Sequence, residues 1–343
     1  MQNACKKMLA VLGKLFFALF CSAVVNIFKR SSLTKRLYMS YNGKDISDGI
    51  GAQLQRILSV AALSNYINAS YVHSGIVNLT IQPLDPYQDE ISKNTYIDKI
   101  NNYFNIQGVN SPSKVGKFIE LKVLKPIYLL RILVNIHLTR KPIYLKVSEV
   151  YPIIDYLPYI YERIKYLSLP NLINLLSKVN LYSIALHFRS GTIKYANYHK
   201  QLVSRYLPLS YFLNILDQCS ENKKIGSSIC VTDSPKLSFT FTPQGDEVIN
   251  WSQMPGFNNG SVEIESTDLN DLQIRNVSIV RGGDPLESLA ILIKADTLIM
   301  SRSSFSYVAG LLSKSHRIYY PPNFWHPKLN SWLEFNPKIG KIS

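Results

Sequence analysis

From residue 183 onward, short apolar runs alternate with stretches of helical period, and nearly every run ends in a polar turn. Ser183–Phe188, Ile229–Thr232, Val277–Val280, Thr297–Met300 and Ile318–Tyr320 read as strands, rich in Ile, Val, Leu and aromatic residues. Helical stretches separate several of them, at Leu209–Cys219, after Asp284, and from the serine-rich turn at Ser301 to near Leu312. Asp284-Pro285-Leu286-Glu287 is a strong helix start, with a capping carboxylate, a proline at the first helical position and an acid three residues on. Pro321-Pro322 stops the last strand. Regular β/α alternation of this kind predicts a parallel, doubly wound α/β sheet.

The first half is read less directly. Leu37–Ser40 is a short strand, followed by a turn at Tyr41–Asp45 and the loop Ser47-Asp48-Gly49-Ile50-Gly51-Ala52-Gln53. Leu54, Ile57, Leu58, Ala61 and Ala62 then recur at helical spacing, so a helix begins near Gly51–Gln53. A strand, a glycine-rich loop and a helix form the opening of a nucleotide-type α/β half. Tyr71-Val72-His73 is the next strand, and residues 85–120 are polar with little period. Leu121–Ile136 suits either a helix or a pair of strands. Tyr151–Ser177 looks helical but is broken by Pro152, Pro158 and Pro170, which marks an inter-domain region. With 343 residues, 46% of them apolar and 18% charged, the chain is a folded one with room for two domains. The expected division is 1–36, 37–175 and 176–343.

The formal charge of +15, from 38 Lys and Arg against 23 Asp and Glu, favours an anionic partner. Long basic blocks interleaved with aromatics are absent, which argues against nucleic acid and for a membrane surface or a phosphorylated substrate. Met8–Phe28 is apolar apart from Lys14 and Asn26, long enough to cross a bilayer, and shows no convincing small-residue cleavage site. Lys29, Arg30, Lys35 and Arg36 follow it and outnumber Lys6 and Lys7 before it, so the positive-inside rule favours a cytoplasmic face for the rest of the chain. An interfacial helix and a Golgi-type signal anchor are the alternatives; the sequons at Asn68, Asn78, Asn259 and Asn276 are compatible with the latter. Cys5, Cys21, Cys219 and Cys230 have no metal-ligand spacing.

In a parallel sheet the carboxyl ends of the strands share one edge, and ligands bind there. Three loops of the second half converge on such an edge: Arg189-Ser190-Gly191-Thr192, Thr232-Asp233-Ser234 and Ser301–Ser306. Arg189 can grip a diphosphate through two parallel hydrogen bonds, and Gly191 lets the backbone approach it. Ser301, Ser303, Ser304 and Phe305 open a helix whose first amides and hydroxyls suit phosphate oxygens, or else Ser303 or Ser304 simply caps it. Asp233 either accepts from a ribose or base or caps its own turn. His187 points either into the cleft or into the core.

His187-Phe188-Arg189-Ser190-Gly191 resembles the H-x-R-x-G signature of the GDP-fucose-dependent fucosyltransferases. Ser301-Arg302-Ser303-Ser304-Phe305-Ser306 resembles the S-x-S-S-F-S segment of bacterial α1,2-fucosyltransferases, and Asp48–Gln53 the glycine loop after their first strand. These motifs occur in order along about 270 residues, with Thr232-Asp233-Ser234 between the outer two. Ser190, Thr192 and Ala52 stand where the family's usual forms carry Arg, Asp and Asn.

The resemblance implies a GT-B fold, two Rossmann-like domains facing a cleft, with an acceptor-side domain at 37–175 and a nucleotide-sugar domain at 176–343. It implies inverting, metal-independent transfer of fucose from GDP-fucose to a glycan or glycolipid hydroxyl, with no metal or other cofactor. No Asp-x-Asp triplet occurs in the chain. Arg189 is then catalytic, and Asp48 is the general base or else a turn-stabilising residue. His187, Arg189, Gly191, Asp233, Ser301, Ser303, Ser304, Phe305, Gly51 and Gln53 would bind the donor. Another nucleotide sugar, or a non-catalytic nucleotide- or glycan-binding protein on the same fold, are the rival readings.

Overall fold

The computed structural model describes residues 2–80, 89–110, 116–190, 205–221, 226–242, 259–264, 266–336 and 341–342. The chain divides into two compact units, Met1–Leu79 with Lys99–Asn171 and Thr80–Asp98 with Leu172–Ser343. The chain passes between the units at 79/80, 98/99 and 171/172, so 80–98 joins the second unit and the last break falls four residues before the 175/176 boundary expected from sequence. Both units are α/β with parallel sheets.

In the first unit, β1 (Leu37–Tyr41), β2 (Ser70–Tyr71), β3 (Lys117–Val123) and β4 (Ile143–Glu149) form one parallel sheet in the order β2-β1-β4-β3. Leu37, Met39 and Tyr41 lie opposite Ile143, Leu145 and Val147, and all six are wholly buried, so the central strand pair carries the core. Helix α1 (Gln2–Arg30) precedes β1, α2 (Ile50–Tyr66) follows it and is buried on nearly every side, and α3 (Glu90–Tyr103) comes between β2 and β3 in the chain. The ambiguous stretch at 121–136 resolves into one strand end and one helix. Lys125 is extended, as a residue before proline prefers, and Pro126 opens α4 (Pro126–Thr139). The prolines at 152, 158 and 170 each stand in the first turn of a short helix, so the interrupted run becomes Tyr151–Ile154, a 3-10 stretch Pro158–Tyr166, and Pro170–Ser177. Asn68, Asn259 and Asn276 have φ of +58°, +50° and +57°, a left-handed conformation that asparagine tolerates, so three of the sequon positions have a backbone reason for their residue.

The second unit is built on a seven-stranded sheet. Its strands are β5 (Ile184–Phe188), β6 (Ser228–Thr232), β9 (Val277–Arg281), β10 (Thr297–Ile299), β11 (Arg317–Tyr320), β12 (Leu333–Asn336) and β13 (Lys341–Ile342). A separate antiparallel pair, β7 (Phe239–Phe241) and β8 (Val262–Ile264), lies outside it. The order is β13-β12-β11-β10-β5-β6-β9, parallel except for the terminal β12–β13 pair. Counted from β5, the parallel part reads 3-2-1-4-5-6, the order of a dinucleotide-type sheet. The chain leaves β5 toward β6 and β9, then crosses back to β10, so the topological switch lies between β5 and β10.

Every residue of β5 is buried. Ile184, Leu186 and Phe188 face a core with Phe212, Ile215 and Leu216 of the helix Leu209–Glu221, and the Phe188 and Phe212 rings meet edge to face at 5.4 Å. Period-2 alternation therefore sends Ala185 and His187 to the opposite face. The helices Pro285–Lys294 and Ser304–Leu312 pack against each other. Gly310 sits where an added Cβ would come within 3.1 Å of Met300 Sδ and 3.3 Å of the Trp332 ring, so even alanine there requires those side chains to give by a few tenths of an ångström.

Candidate functional site

The switch between β5 and β10 brings the sequence motifs of the second unit together. β10 pairs with β5 from Thr297↔Ile184 to Ile299↔Leu186, which sets His187 and Arg189 beside the Ser301–Ser306 turn. His187 Nδ1 and Ser301 Oγ share a hydrogen bond of 2.7 Å, and the imidazole lies 5.3 Å from the Phe305 ring. His187 is buried, and that burial pushes its pKa down to about 4, with Arg189 adding to the effect and Asp233 opposing it. The imidazole is thus neutral near pH 7. It orients Ser301 and contributes no charge.

Charge at this edge comes from Arg189. Its Nε lies 3.6 Å from Asp233 Oδ2, and a terminal nitrogen lies 3.4 Å from Ser303 Oγ. Its side chain keeps a quarter of its surface exposed. Asp233 uses its other oxygen to accept the Ser190 amide at 2.8 Å, which ties the ends of β5 and β6 together. Ser190 itself is buried and accepts from Thr267 Oγ1 at 3.1 Å. Gly191 and Thr192 lie outside the described residues.

The serine turn does two jobs. Ser303 caps the helix Ser304–Leu312, its hydroxyl accepting the Phe305 amide at 3.2 Å, and Ser306 Oγ donates back to the Ser301 carbonyl at 3.0 Å. Ser304 Oγ shares a 2.9 Å hydrogen bond with His326 Nε2. Arg302 is directed elsewhere, to the carbonyls of Pro322 and Tyr206. A helix start, a capping serine and a partly exposed guanidinium therefore meet at one strand edge, a geometry suited to an anion.

Sequence reading missed several groups here. Arg281, at the end of β9, donates to Ser234 Oγ and to the carbonyls of Pro235 and Thr267, holding the loop behind Asp233. A cation ending a strand was its signal, the same one that marks Arg189. Gly282 and Gly283 follow at φ +68° and +89°, a turn only glycine makes without strain. His326 and Trp325 come from the loop after Tyr320. Trp325 is 44% exposed beneath the Arg205 guanidinium, 5.1 Å from its ring centre, and offers a planar surface one residue from the partner of Ser304.

Asp48, Gly51 and Gln53 belong to the first unit and form a separate constellation there. Gln53 is wholly buried and fully engaged. It accepts from the Tyr41 hydroxyl at 3.3 Å and donates to the carbonyls of Asp48 and Asn78. Gly51 is buried in the first turn of α2. Asp48 Oδ1 accepts the Gly49 amide at 2.8 Å, and Oδ2 pairs with an Arg56 terminal nitrogen at 3.0 Å. Arg56 Nε lies 3.6 Å from Glu149 Oε1 at the end of β4, so one guanidinium bridges two carboxylates at the carboxyl edge of this sheet. Arg56 and Glu149 were not singled out from sequence, although Arg56 follows Gln53 by three residues on one helix face.

Among the described residues no three His, Cys, Asp or Glu side chains gather into a metal-binding group. No protein-family model matches the chain, and no curated protein sequence matches it. Among solved structures it is similar to POFUT1 in complex with GDP-fucose, at 14% identity and a TM-score of 0.29, over 85% of this chain and 77% of that one. A second structure, POFUT1 in complex with GDP, gives 14% identity and 0.29 over 81% and 71%. A TM-score of 0.29 fixes no residue correspondence.

Proposed function

We propose that the chain is an inverting, metal-independent glycosyltransferase of GT-B type that holds the diphosphate of a nucleotide sugar at the carboxyl edge between β5 and β10. The donor is GDP-fucose and the acceptor is a hydroxyl of a glycan or glycolipid. One observation carries this reading: Arg189 reaches the capping Ser303 of the helix Ser304–Leu312 across the switch point, so a cation and a helix start address the same space. The order of the motifs along the chain supports the choice of donor.

In the reaction the acceptor oxygen bonds to the anomeric carbon as the bond from that carbon to the diphosphate breaks. The electron pair leaves with GDP, and the acceptor's proton passes to a base. Negative charge grows on the leaving phosphate, and Arg189 with the first-turn amides of the helix would stabilise it in the place of a divalent ion. Neutral His187 fixes Ser301, while Asp233 fixes the Ser190 amide and steers the guanidinium. Asp48 is the proposed base, a carboxylate held by Arg56 and the Gly49 amide. Its assignment rests on the resemblance of its loop.

A second reading, nucleotide binding without transfer, is favoured by Ser190, which is buried and bonded to Thr267 where the family's usual form carries a second cation. A donor-hydrolysis and transfer screen across GDP-, UDP- and CMP-sugars, run with magnesium and with chelator, separates the two. Release of fucose from GDP-fucose in chelator supports the enzyme, and GDP binding with no turnover of any donor supports the second reading. Activity that requires magnesium refutes the metal-free mechanism. Among the described residues one helix is long and apolar enough to cross a membrane, Val11–Arg30 within α1, and we place the catalytic units on the cytoplasmic face because of the cations that follow it.

A further inference from the structure

Residues 1–44 and 121–148 hold fourteen of the 38 Lys and Arg and not one Asp or Glu. The other 271 residues balance 24 cations against 23 carboxylates, so nearly all of the +15 resides in these two stretches. Far apart in sequence, they are neighbours in the first unit. β1 lies beside β4 in five-residue register, α4 packs against α1 and against the 3-10 turn Ser32–Arg36, and the Arg36 guanidinium donates to the Arg140 carbonyl.

Both helices present apolar side chains outward. On α1 the exposed residues include Leu12, Phe16, Leu19 and Ile27, although Cys21, Val24, Val25 and Phe28 on the other side are buried in the unit's core. On α4 the buried line is Leu129, Ile132 and Ile136, and the exposed line is Ile127, Arg131, Val134 and Leu138, at i, i+4, i+7 and i+11. Leu138 is 75% exposed. A surface helix in water carries polar residues on that line, so an apolar one within a zone of surplus positive charge, where Glu120 opposite Lys146 offsets only one cation, needs a different solvent.

We propose that the outward face of α4 is a second bilayer contact beside α1, resting on anionic lipid headgroups. The first unit then lies against the membrane instead of hanging from a tether. Charge complementarity selects the occupant: anionic lipid neutralises the surplus cations, whereas a second copy of the chain would bring the same positive surplus against them. Arg131 within the apolar line can extend its head to phosphates while its stem stays in the acyl region. The proposal is independent of which sugar, if any, the chain transfers.

The test uses the full chain in phosphatidylcholine vesicles with and without phosphatidylserine. An environment-sensitive fluorophore is placed at Leu138→Cys, in a background of Cys5→Ser and Cys219→Ser, with Ile274→Cys in the second unit (75% exposed) as reference. The expected result is a blue-shifted emission at 138, quenched by lipid-borne quencher in phosphatidylserine vesicles, with no change at 274. Arg140→Glu with Lys141→Glu should lower the quenching of the 138 label about tenfold. Membrane insertion of α1 alone would leave the 138 label in water. The proposal is overturned if that label stays as water-exposed as the one at 274. It is also overturned if the shift occurs without lipid and grows with protein concentration, the signature of a second copy.

Discussion

Replacing Arg189 by alanine separates a ligand-binding cation from a structural one, because the structure sets the two costs far apart. On the structural side, the guanidinium makes a 3.6 Å ion pair with a partly exposed Asp233 and a long 3.4 Å contact with Ser303. An ion pair with that exposure and distance contributes below about 1 kcal/mol, so the fold should lose no more than that. On the ligand side, a guanidinium bonded to two phosphate oxygens supplies two charge-assisted hydrogen bonds of about 1.5–3 kcal/mol each. Losing both raises the dissociation constant by roughly two to four orders of magnitude. Asp233 would also stand unneutralised beside the phosphate and add repulsion. Lysine at 189 keeps the charge but not the fork, and should fall between alanine and the native residue. The assay is calorimetric titration with GDP in chelator, paired with urea unfolding of the same variants. A GDP affinity within threefold of the native value would refute the reasoning. So would a stability loss as large as the loss in binding, since Arg189 would then be a structural residue.

Burial holds His187 neutral down to about pH 4, below its unfolded value near 6.5, so the unfolded chain binds the extra proton first as pH falls. Stability should therefore be full above about pH 6.5 and decline toward pH 4, by up to about 3 kcal/mol from this one group, and urea midpoints of His187→Asn should show a flatter profile. Asp48→Asn should lower turnover by about a hundredfold or more with GDP affinity unchanged, measured by single-turnover transfer, and unchanged turnover rejects the base role. Gln53→Ala leaves the Tyr41 hydroxyl and two carbonyls without their partner in a fully buried place. It should cost about 2–4 kcal/mol by thermal unfolding while sparing GDP affinity in the second unit; a specific loss of GDP binding would make Gln53 a donor ligand after all.

The second unit was the more legible half because its signals are local and strong. Strand runs such as Ile184–Phe188 are wholly apolar or nearly so, and Asp284 caps its helix as its spacing predicts, accepting the Leu286 amide at 2.8 Å. Strand β4 escaped notice because Tyr144, Lys146 and Ser148 interrupt it, although Ile143, Leu145 and Val147 carry the period of two. The strand read at Tyr71–His73 is the two-residue β2, Ser70–Tyr71, so its existence was legible and its bounds were not. The site shows the same division. Arg189 and the serine turn declare themselves by composition, but nothing near Asp233 in sequence reveals that it serves the Ser190 amide, since that bond depends on β5 and β6 being neighbours. Gln53 belongs to a motif, but its partner at the Asn78 carbonyl lies 25 residues on and could not be read from that motif. The positive surplus of two separate stretches is plain in the sequence; their adjacency comes only from the pairing of β1 with β4.

A crystal structure of the chain grown with GDP in the presence of chelator is the measurement that reaches furthest. The diphosphate should lie at the carboxyl edge between β5 and β10, with oxygens in hydrogen-bond reach of the Arg189 guanidinium and of amides in the first turn after Ser303. A nucleotide bound at any other edge, or density that appears only when a divalent ion is supplied, would contradict the account.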